Sequence, residues 1–344
     1  MSPSRVTIEP APPRRPLRIS PFSMIVLLVV LVTLVMSFMP NANAANTTDK
    51  QATATMTPLA TPTVVAAFDP SVNAPLPYNR IVTAYGITGG VQFNGPASTL
   101  DLLTNFLPQL QALGKQYATL DPTHPVKLGI DLVVNVFQPC ATYSTYCSSF
   151  VDDATMQTYV DFCQQHNLLL FFDMQFGVMP VKVAIGQIQG YLEKYPFTEV
   201  ALDTEFHFPY TAQGHASAAA YPGPLGWMGA DEINWAIDDL ASISAQQHQP
   251  RKVLIVHQWE DIVIHDKDKI VSNPAVSVVL QSDGWGYSEA KLSKYQSFVQ
   301  QDLIGYGGYK LFFQYDGDGQ YDRPLQSPAD VMRLFPQPLF ISYQ

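Results

Sequence analysis

From Tyr78 onward, short apolar runs rich in β-branched residues alternate with longer segments of helical period, eight times over. The runs are IVTAYG (81–86), VKLGIDLVV (126–134), LLLFFDMQF (168–176), EVALDTEF (199–206), KVLIVHQW (252–259), VSVVLQSDG (276–284), YKLFFQYDG (309–317) and LFISYQ (339–344). They are almost continuously apolar, as strands covered on both faces must be. Helix-spaced apolar residues fill 98–113, 152–166, 180–195, 230–247 and 287–303, with a short helix or turn at 261–269 and a brief helix at 328–334. This order predicts a parallel (β/α)8 TIM barrel with its final helix absent. A structured length of roughly 265 residues suits that fold. The competing arrangement is an open doubly wound sheet.

The segment before the first run divides in two. Arg14, Arg15 and Arg18 precede the apolar stretch SMIVLLVVLVTLVMSFM, and the small residues Ala42 to Ala44 follow it. This is the pattern of a signal peptide over 1–44, or of a signal anchor if it is not cleaved. Residues 45–76, rich in Thr, Ala and Pro, read as a flexible linker, which leaves 77–344 as the barrel domain. Both readings of the N-terminus place the barrel outside the cytoplasmic membrane, either secreted or anchored. The expected contact with a membrane is through the N-terminal segment alone. Cys140 and Cys147 flank ATYSTY and can close a short disulfide in that compartment. Cys163 reads as a buried thiol, and three spaced cysteines do not make a zinc pattern.

Charge narrows the partners. Residues 1–44 hold four of the 19 basic and one of the 29 acidic residues, which leaves 15 against 28 and a net charge of −13. Such a surface repels phosphate backbones, so nucleic acid is excluded as an expected partner. A neutral polysaccharide or cell-wall glycan is compatible with it. A monomer is expected, with no cofactor and no metal.

Every barrel active site lies at the C-terminal ends of the strands, and here those ends are polar. The third run ends in Asp173 and Gln175, and the fourth in Asp203 and Glu205 followed by His207. The fifth ends in His257, Gln258 and Trp259. The sixth ends in Gln281 and Asp283, then Trp285, and the seventh in Gln314, Tyr315 and Asp316. Strand alternation predicts that Asp203 and Glu205 share the inward face. A glycoside hydrolase needs a protonated acid and an opposing carboxylate across the scissile bond. Glu205 is the candidate acid, Asp203 its supporting neighbour, and Asp283 or Asp316 the opposing group, with His257 beside them. Asp173, Gln175, His207, Gln258, Trp259, Gln281, Trp285, Gln314 and Tyr315 are the candidate substrate contacts.

Three other readings use the same residues. Asp203 can orient a substrate amide in substrate-assisted hydrolysis. Asp203, His207, His257 and Asp283 are plausible ligands for a metal-dependent hydrolase. A barrel that binds glycan without cleaving it keeps the aromatic rim and needs no perturbed carboxyl. YDGDGQYDR (315–323) also has alternating aspartates in the manner of a calcium loop, without the closing Glu of an EF-hand.

The run ALDTEF…KVLIVHQW…SDGWG…YKLFFQYDGD…ISYQ is similar to an uncharacterised family of secreted or lipid-anchored bacterial barrel proteins of glycoside-hydrolase-like type. The resemblance implies the barrel fold and marks His257, Gln258, Asp283, Gly284, Lys310 and Asp316 as family-type positions. It names no reaction. More loosely, Asp203 and Glu205 resemble the Asp-x-Glu pair on the fourth strand of glycosidase-barrel muramidases, and Gln314 and Tyr315 resemble their late strand. That family has an Asp near the end of its first strand, where this chain has Tyr85 and Gly86.

Overall fold

The computed structural model describes residues 68–88, 90–92, 96–97, 105–138, 146–208, 226–313, 319 and 321–344. The chain divides into two compact units, 1–64 and 65–344, and all described residues belong to the second. The signal segment, most of the linker, Cys140, Gln314, Tyr315 and Asp316 therefore lie outside the described residues. No helix among the described residues is long and apolar enough to cross a membrane.

Eight parallel strands close into a barrel. They are β1 (Arg80–Ile87), β2 (Val126–Phe137), β3 (Leu169–Met174), β4 (Thr198–Leu202), β5 (Lys252–Gln258), β6 (Val276–Ser282), β7 (Tyr306–Leu311) and β8 (Phe340–Tyr343). Each pairs in parallel with the next, and β1 pairs with both β2 and β8, which closes the ring. The helices between them are α1 (Leu107–Leu120), α2 (Asp153–His166), α3 (Val181–Lys194), α4 (Ala230–Gln247), α5 (Ser288–Tyr295) and α6 (Pro328–Val331). Two 3-10 turns, Asp261–Val263 and Lys267–Lys269, stand between β5 and β6. No helix follows β8 among the described residues. The architecture is thus the (β/α)8 barrel expected from the alternating runs.

Alternation along the strands sorts the core. Ile130, Leu132, Leu170, Phe172, Val200, Leu202, Leu254, Val256 and Leu280 face outward and pack against Leu110, Val160, Ile185, Ile188, Ile237 and Leu240 of the helices. Ile81, Leu169, Phe171, Ala201, Val253, Ile255, Val279 and Phe340 point inward as an apolar interior. Leu76 joins this inner cluster and is fully buried. It lies in the stretch expected to be linker, so the folded unit reaches further upstream than Tyr78.

Above that layer the interior becomes polar. Tyr85, Asp173, His257 and Lys310 come from β1, β3, β5 and β7, the alternate strands that share a barrel layer. Their contacts confirm one level. Lys310 Nζ lies 3.5 Å from the Tyr85 ring centroid, and the Tyr85 and His257 rings are 6.2 Å apart. Asp131, Gln281 and Ser342 enter from β2, β6 and β8, with Ser342 Oγ donating to Asp131 Oδ2 at 3.3 Å.

Several strand boundaries differ from the sequence expectation, and for two of them the contacts give the reason. The fourth strand stops at Leu202, and Thr204–Phe206 forms a 3-10 turn. Thr204 Oγ1 donates to the carbonyl of His257 at 2.8 Å and holds the turn against the end of β5. The seventh strand begins at Tyr306, three residues early. Gly307 and Gly308 disguise its start, since glycine weakens a strand signal. They are needed because a Cβ at Gly307 would stand 2.6 Å from Tyr295 Oη, and one at Gly308 would stand 2.8 Å from Val279 Cγ1.

Candidate active site

The polar end of the barrel centres on His257, which is 1% exposed at the end of β5. Its Nδ1 donates to Asp283 Oδ2 at 2.8 Å. Its Nε2 lies 3.0 Å from Asp173 Oδ2, close enough for an ion pair but off the hydrogen-bond line. Burial alone would favour the neutral ring. The Asp173 charge and the contacts with Asp173 and Asp283 outweigh it and raise the imidazole pKa well above its usual value.

Asp283 follows β6. Its Oδ2 also accepts from Lys310 Nζ at 3.0 Å, and its Oδ1 accepts from the Gly284 amide. Burial pushes this carboxyl up, but Lys310 and His257 pull it far below the ordinary range, so Asp283 is ionised. Lys310 is buried too, and Asp283, Asp203, Asp173 and Asp131 hold its ammonium charged against the cost of burial. The other carboxyls behave oppositely. Burial, then the Asp173 charge, pushes Asp131 up to about 7. Burial leads again at Asp203, also about 7, where Asp173 and Asp283 push upward and His257 and Lys310 pull down.

Glu205 sits in the 3-10 turn rather than on a strand, and it is only half-buried. Its Oε2 is shielded from solvent and has no hydrogen-bond partner. Burial first, then the charges of Asp203 and Asp283, raise its pKa well above that of an ordinary glutamate. Burial and neighbouring charge thus favour the acid form of Glu205, whereas Asp283 is held ionised.

The remaining candidates scatter. Gln175 ties the site together: its Oε1 accepts from the Phe137 amide at 3.1 Å, and its Nε2 reaches Asp203 Oδ2 at 3.4 Å. Gln281 is fully buried, stands opposite His257 in the strand register, and has neither amide atom partnered. Gln258 is buried, with Oε1 unpartnered. Trp259 lies against Gly284 and under Lys294, whose Nζ is 5.3 Å from the ring centroid. Trp285 is exposed. His207 is placed elsewhere. Its Nδ1 donates to the Trp227 carbonyl at 2.8 Å, its ring meets Phe176 edge-on, and its Nε2 is 3.4 Å from Glu232 on α4. It fastens the loop after β4 to the outer helix and does not join the His257 cluster.

Asp131 and Tyr85 belong to the site and were not among the sequence candidates. A carboxylate in the middle of an apolar strand was the available signal at Asp131, since such a group is costly to bury unless it has a task or a partner. Ligand atoms of Asp131, Asp173 and His257 all lie within 4.8 Å of one another. A separate cleft of about 550 Å³ lies at the opposite end of β6 and β7, and its only titratable lining groups are Arg251 and Tyr306. Away from the site, Cys147 is disulfide-bonded and Cys163 is a buried free thiol.

No family model matches the chain, and no curated protein does. Among solved structures it is similar to the YdhT protein from Bacillus subtilis, at 9% identity over 78% of this chain and 81% of that one, with a TM-score of 0.39. It is also similar to the Prevotella bryantii endo-beta-mannanase/endo-beta-glucanase PbGH26A-GH5A, at 11% identity with a TM-score of 0.36. That match covers 77% of this chain but only 44% of the other. Neither likeness bears on function.

Proposed function

We propose that this chain is an exported glycoside hydrolase acting on a neutral polysaccharide or cell-wall glycan, with Glu205 as its general acid. One contrast carries the reading: burial and the neighbouring charges of Asp203 and Asp283 raise the Glu205 pKa and favour its acid form, while Lys310 and His257 lower that of Asp283 and favour its ionised form. Two carboxyls with opposite protonation preferences at one barrel mouth are what glycosidic cleavage requires. Glu205 gives its proton to the leaving oxygen as the C–O bond breaks. Asp283 supplies fixed negative charge for the oxocarbenium-like transition state, and Asp283 or Asp316 is the group that acts on the opposite face. Trp259 and Trp285 offer faces on which sugar rings stack, and the net negative charge favours an uncharged substrate.

The test is hydrolysis of a panel of polysaccharides and aryl glycosides by the parent and by Glu205→Gln. Loss of the acid should lower the rate on natural linkages by about 10²- to 10⁴-fold. Aryl glycosides with strongly acidic phenol leaving groups need no protonation and should be largely spared. Equal rates on a polysaccharide for parent and variant would remove Glu205 from the role.

A further inference from the structure

The geometry points to a divalent-cation site inside the barrel, formed by Asp131, Asp173 and His257. This goes beyond the glycan reading and does not depend on it. The three residues project from β2, β3 and β5 and are essentially inaccessible to solvent. One ligand atom from each lies within 4.8 Å of the other two. A single ion with bonds of about 2.0–2.2 Å can draw in such a set with small side-chain rotations.

The hydrogen-bond census supports a ligand at this point. Asp173 is fully buried, and neither of its oxygens has a well-aligned partner. Asp131 Oδ1 is likewise unpartnered, and His257 Nε2 meets only Asp173 Oδ2, at 3.0 Å and off the hydrogen-bond line. Buried polar groups are rarely left so, and a cluster of them calls for a specific cause. A further residue of a different kind points the same way. Gln281 is fully buried beside His257 in the strand register, on the inward face of β6 two residues beyond Val279, and both its amide atoms are unpartnered. Its Oε1 is the natural fourth donor.

The surroundings of His257 match what a metal-bound imidazole needs. A ligating histidine usually donates its other ring N–H to a carboxylate, which fixes the tautomer and orients the ring. Here Nδ1 donates to Asp283, and Lys310 anchors Asp283 in turn. Nε2 is then the ligating nitrogen, and the cation takes the place of the proton between Nε2 and Asp173. Lys310 does not fill the site, because its hydrogen bond goes to Asp283 and its ammonium rests on the Tyr85 ring. One imidazole and two carboxylates favour a first-row ion such as Zn²⁺ or Mn²⁺ over Ca²⁺ or Mg²⁺, which prefer all-oxygen sites.

The experiment strips the purified full chain with a chelator and dialyses it against Zn²⁺, Mn²⁺, Ca²⁺ or Mg²⁺ at one fixed pH. Metal is counted by mass spectrometry, and melting is followed at each concentration. The expected result is one Zn²⁺ or Mn²⁺ per chain and a melting temperature that rises with its concentration. Asp173→Asn and His257→Gln should each weaken binding at least a hundredfold, while Glu205→Gln binds as the parent does. Should those variants fold poorly, titration of the parent with Co²⁺ decides. A saturable one-to-one visible spectrum of nitrogen and oxygen ligation supports the site, and its absence overturns it. Stoichiometric binding that persists in an Asp131→Asn/Asp173→Asn chain also overturns it. Glu205-dependent hydrolysis by a chain that takes up none of the four ions on dialysis sinks the cation site and leaves Glu205 standing. Normal metal content with no glycan activity does the reverse.

Discussion

A Cβ on Gly284 would stand 2.1 Å from Cδ1 of Trp259. Gly284 also has a φ of +94°, outside the range other residues readily adopt. The indole at the end of β5 and the turn after β6 are therefore built around each other. Asp283, the residue before that glycine, takes its place from this fit. Gly284→Ala should cost about 1–3 kcal/mol from backbone strain alone, with a further loss from displacing Trp259. Urea denaturation followed by tryptophan fluorescence measures it, and an unchanged midpoint would mean that the turn adapts.

The raised pKa of Glu205 sets the direction of pH dependence. Its acid form exists below the folded pKa and is lost above it. The rate kcat/KM on a natural linkage should therefore fall on the alkaline side by about tenfold per pH unit, and that limb should vanish in Glu205→Gln. Stability follows the same sign. The contribution of the protonated carboxyl is fully present below its unfolded pKa and is lost as pH rises through the folded one. Glu205→Gln should thus be more stable than the parent at alkaline pH, by thermal melt, and equal to it in acid.

Lys310 and Asp283 form a buried pair at 3.0 Å. Breaking it from either side takes from a buried ion its strongest counter-charge, although His257 still faces Asp283 and other aspartates still face Lys310. Lys310→Met and Asp283→Asn should each cost about 3–5 kcal/mol. The double variant should cost less than their sum, with a coupling of about 1–3 kcal/mol. Strict additivity in a double-mutant cycle would show that the pair is not a unit.

His207 and Glu232 lie 3.4 Å apart with opposite formal charges available, yet they do not form an ion pair. Burial lowers His207 to about 4, despite its hydrogen bond to Trp227. Burial, helped by Asp231 and opposed by the Gly229 amide, raises Glu232 to about 7. At pH 5.5 both are neutral. Because the folded pKa of Glu232 exceeds the unfolded one, its contribution is complete below about pH 4.3 and is lost as pH rises through 7. Glu232→Gln should flatten that loss across melts from pH 4 to 8. A variant less stable than the parent at pH 8 would restore the ion pair.

Much of the barrel was legible because strands buried on both faces leave an unmistakable run. Leu169–Met174, Lys252–Gln258 and Val276–Ser282 all fall inside the stretches expected. The end of β4 was not legible. EVALDTEF contains no breaker, and its turn is fixed by a bond from Thr204 to a strand more than fifty residues away. The site divides similarly. Asp173, His257 and Asp283 stand at the polar ends of their runs and announce themselves. Asp131 and Tyr85 sit within apolar runs and join the site only through the barrel's layering. The register that sets Gln281 beside His257 comes from pairing between strands, and no local pattern encodes it.

The ring closes by pairing Ile81 with Phe340, and Arg80 Nε donates to the Pro338 carbonyl at 3.1 Å across 258 positions of chain. Tyr117 and Tyr343 seal the same seam with a hydroxyl pair at 2.6 Å. These contacts form only when both extremes of the barrel are present together. Folding must therefore pass through species with two unpaired sheet edges, and such long-range pairing is slow to find. Until Phe340–Tyr343 docks, those edges invite pairing with other chains. The time the polypeptide spends waiting for β8 to dock sets how long those edges stay open to other chains.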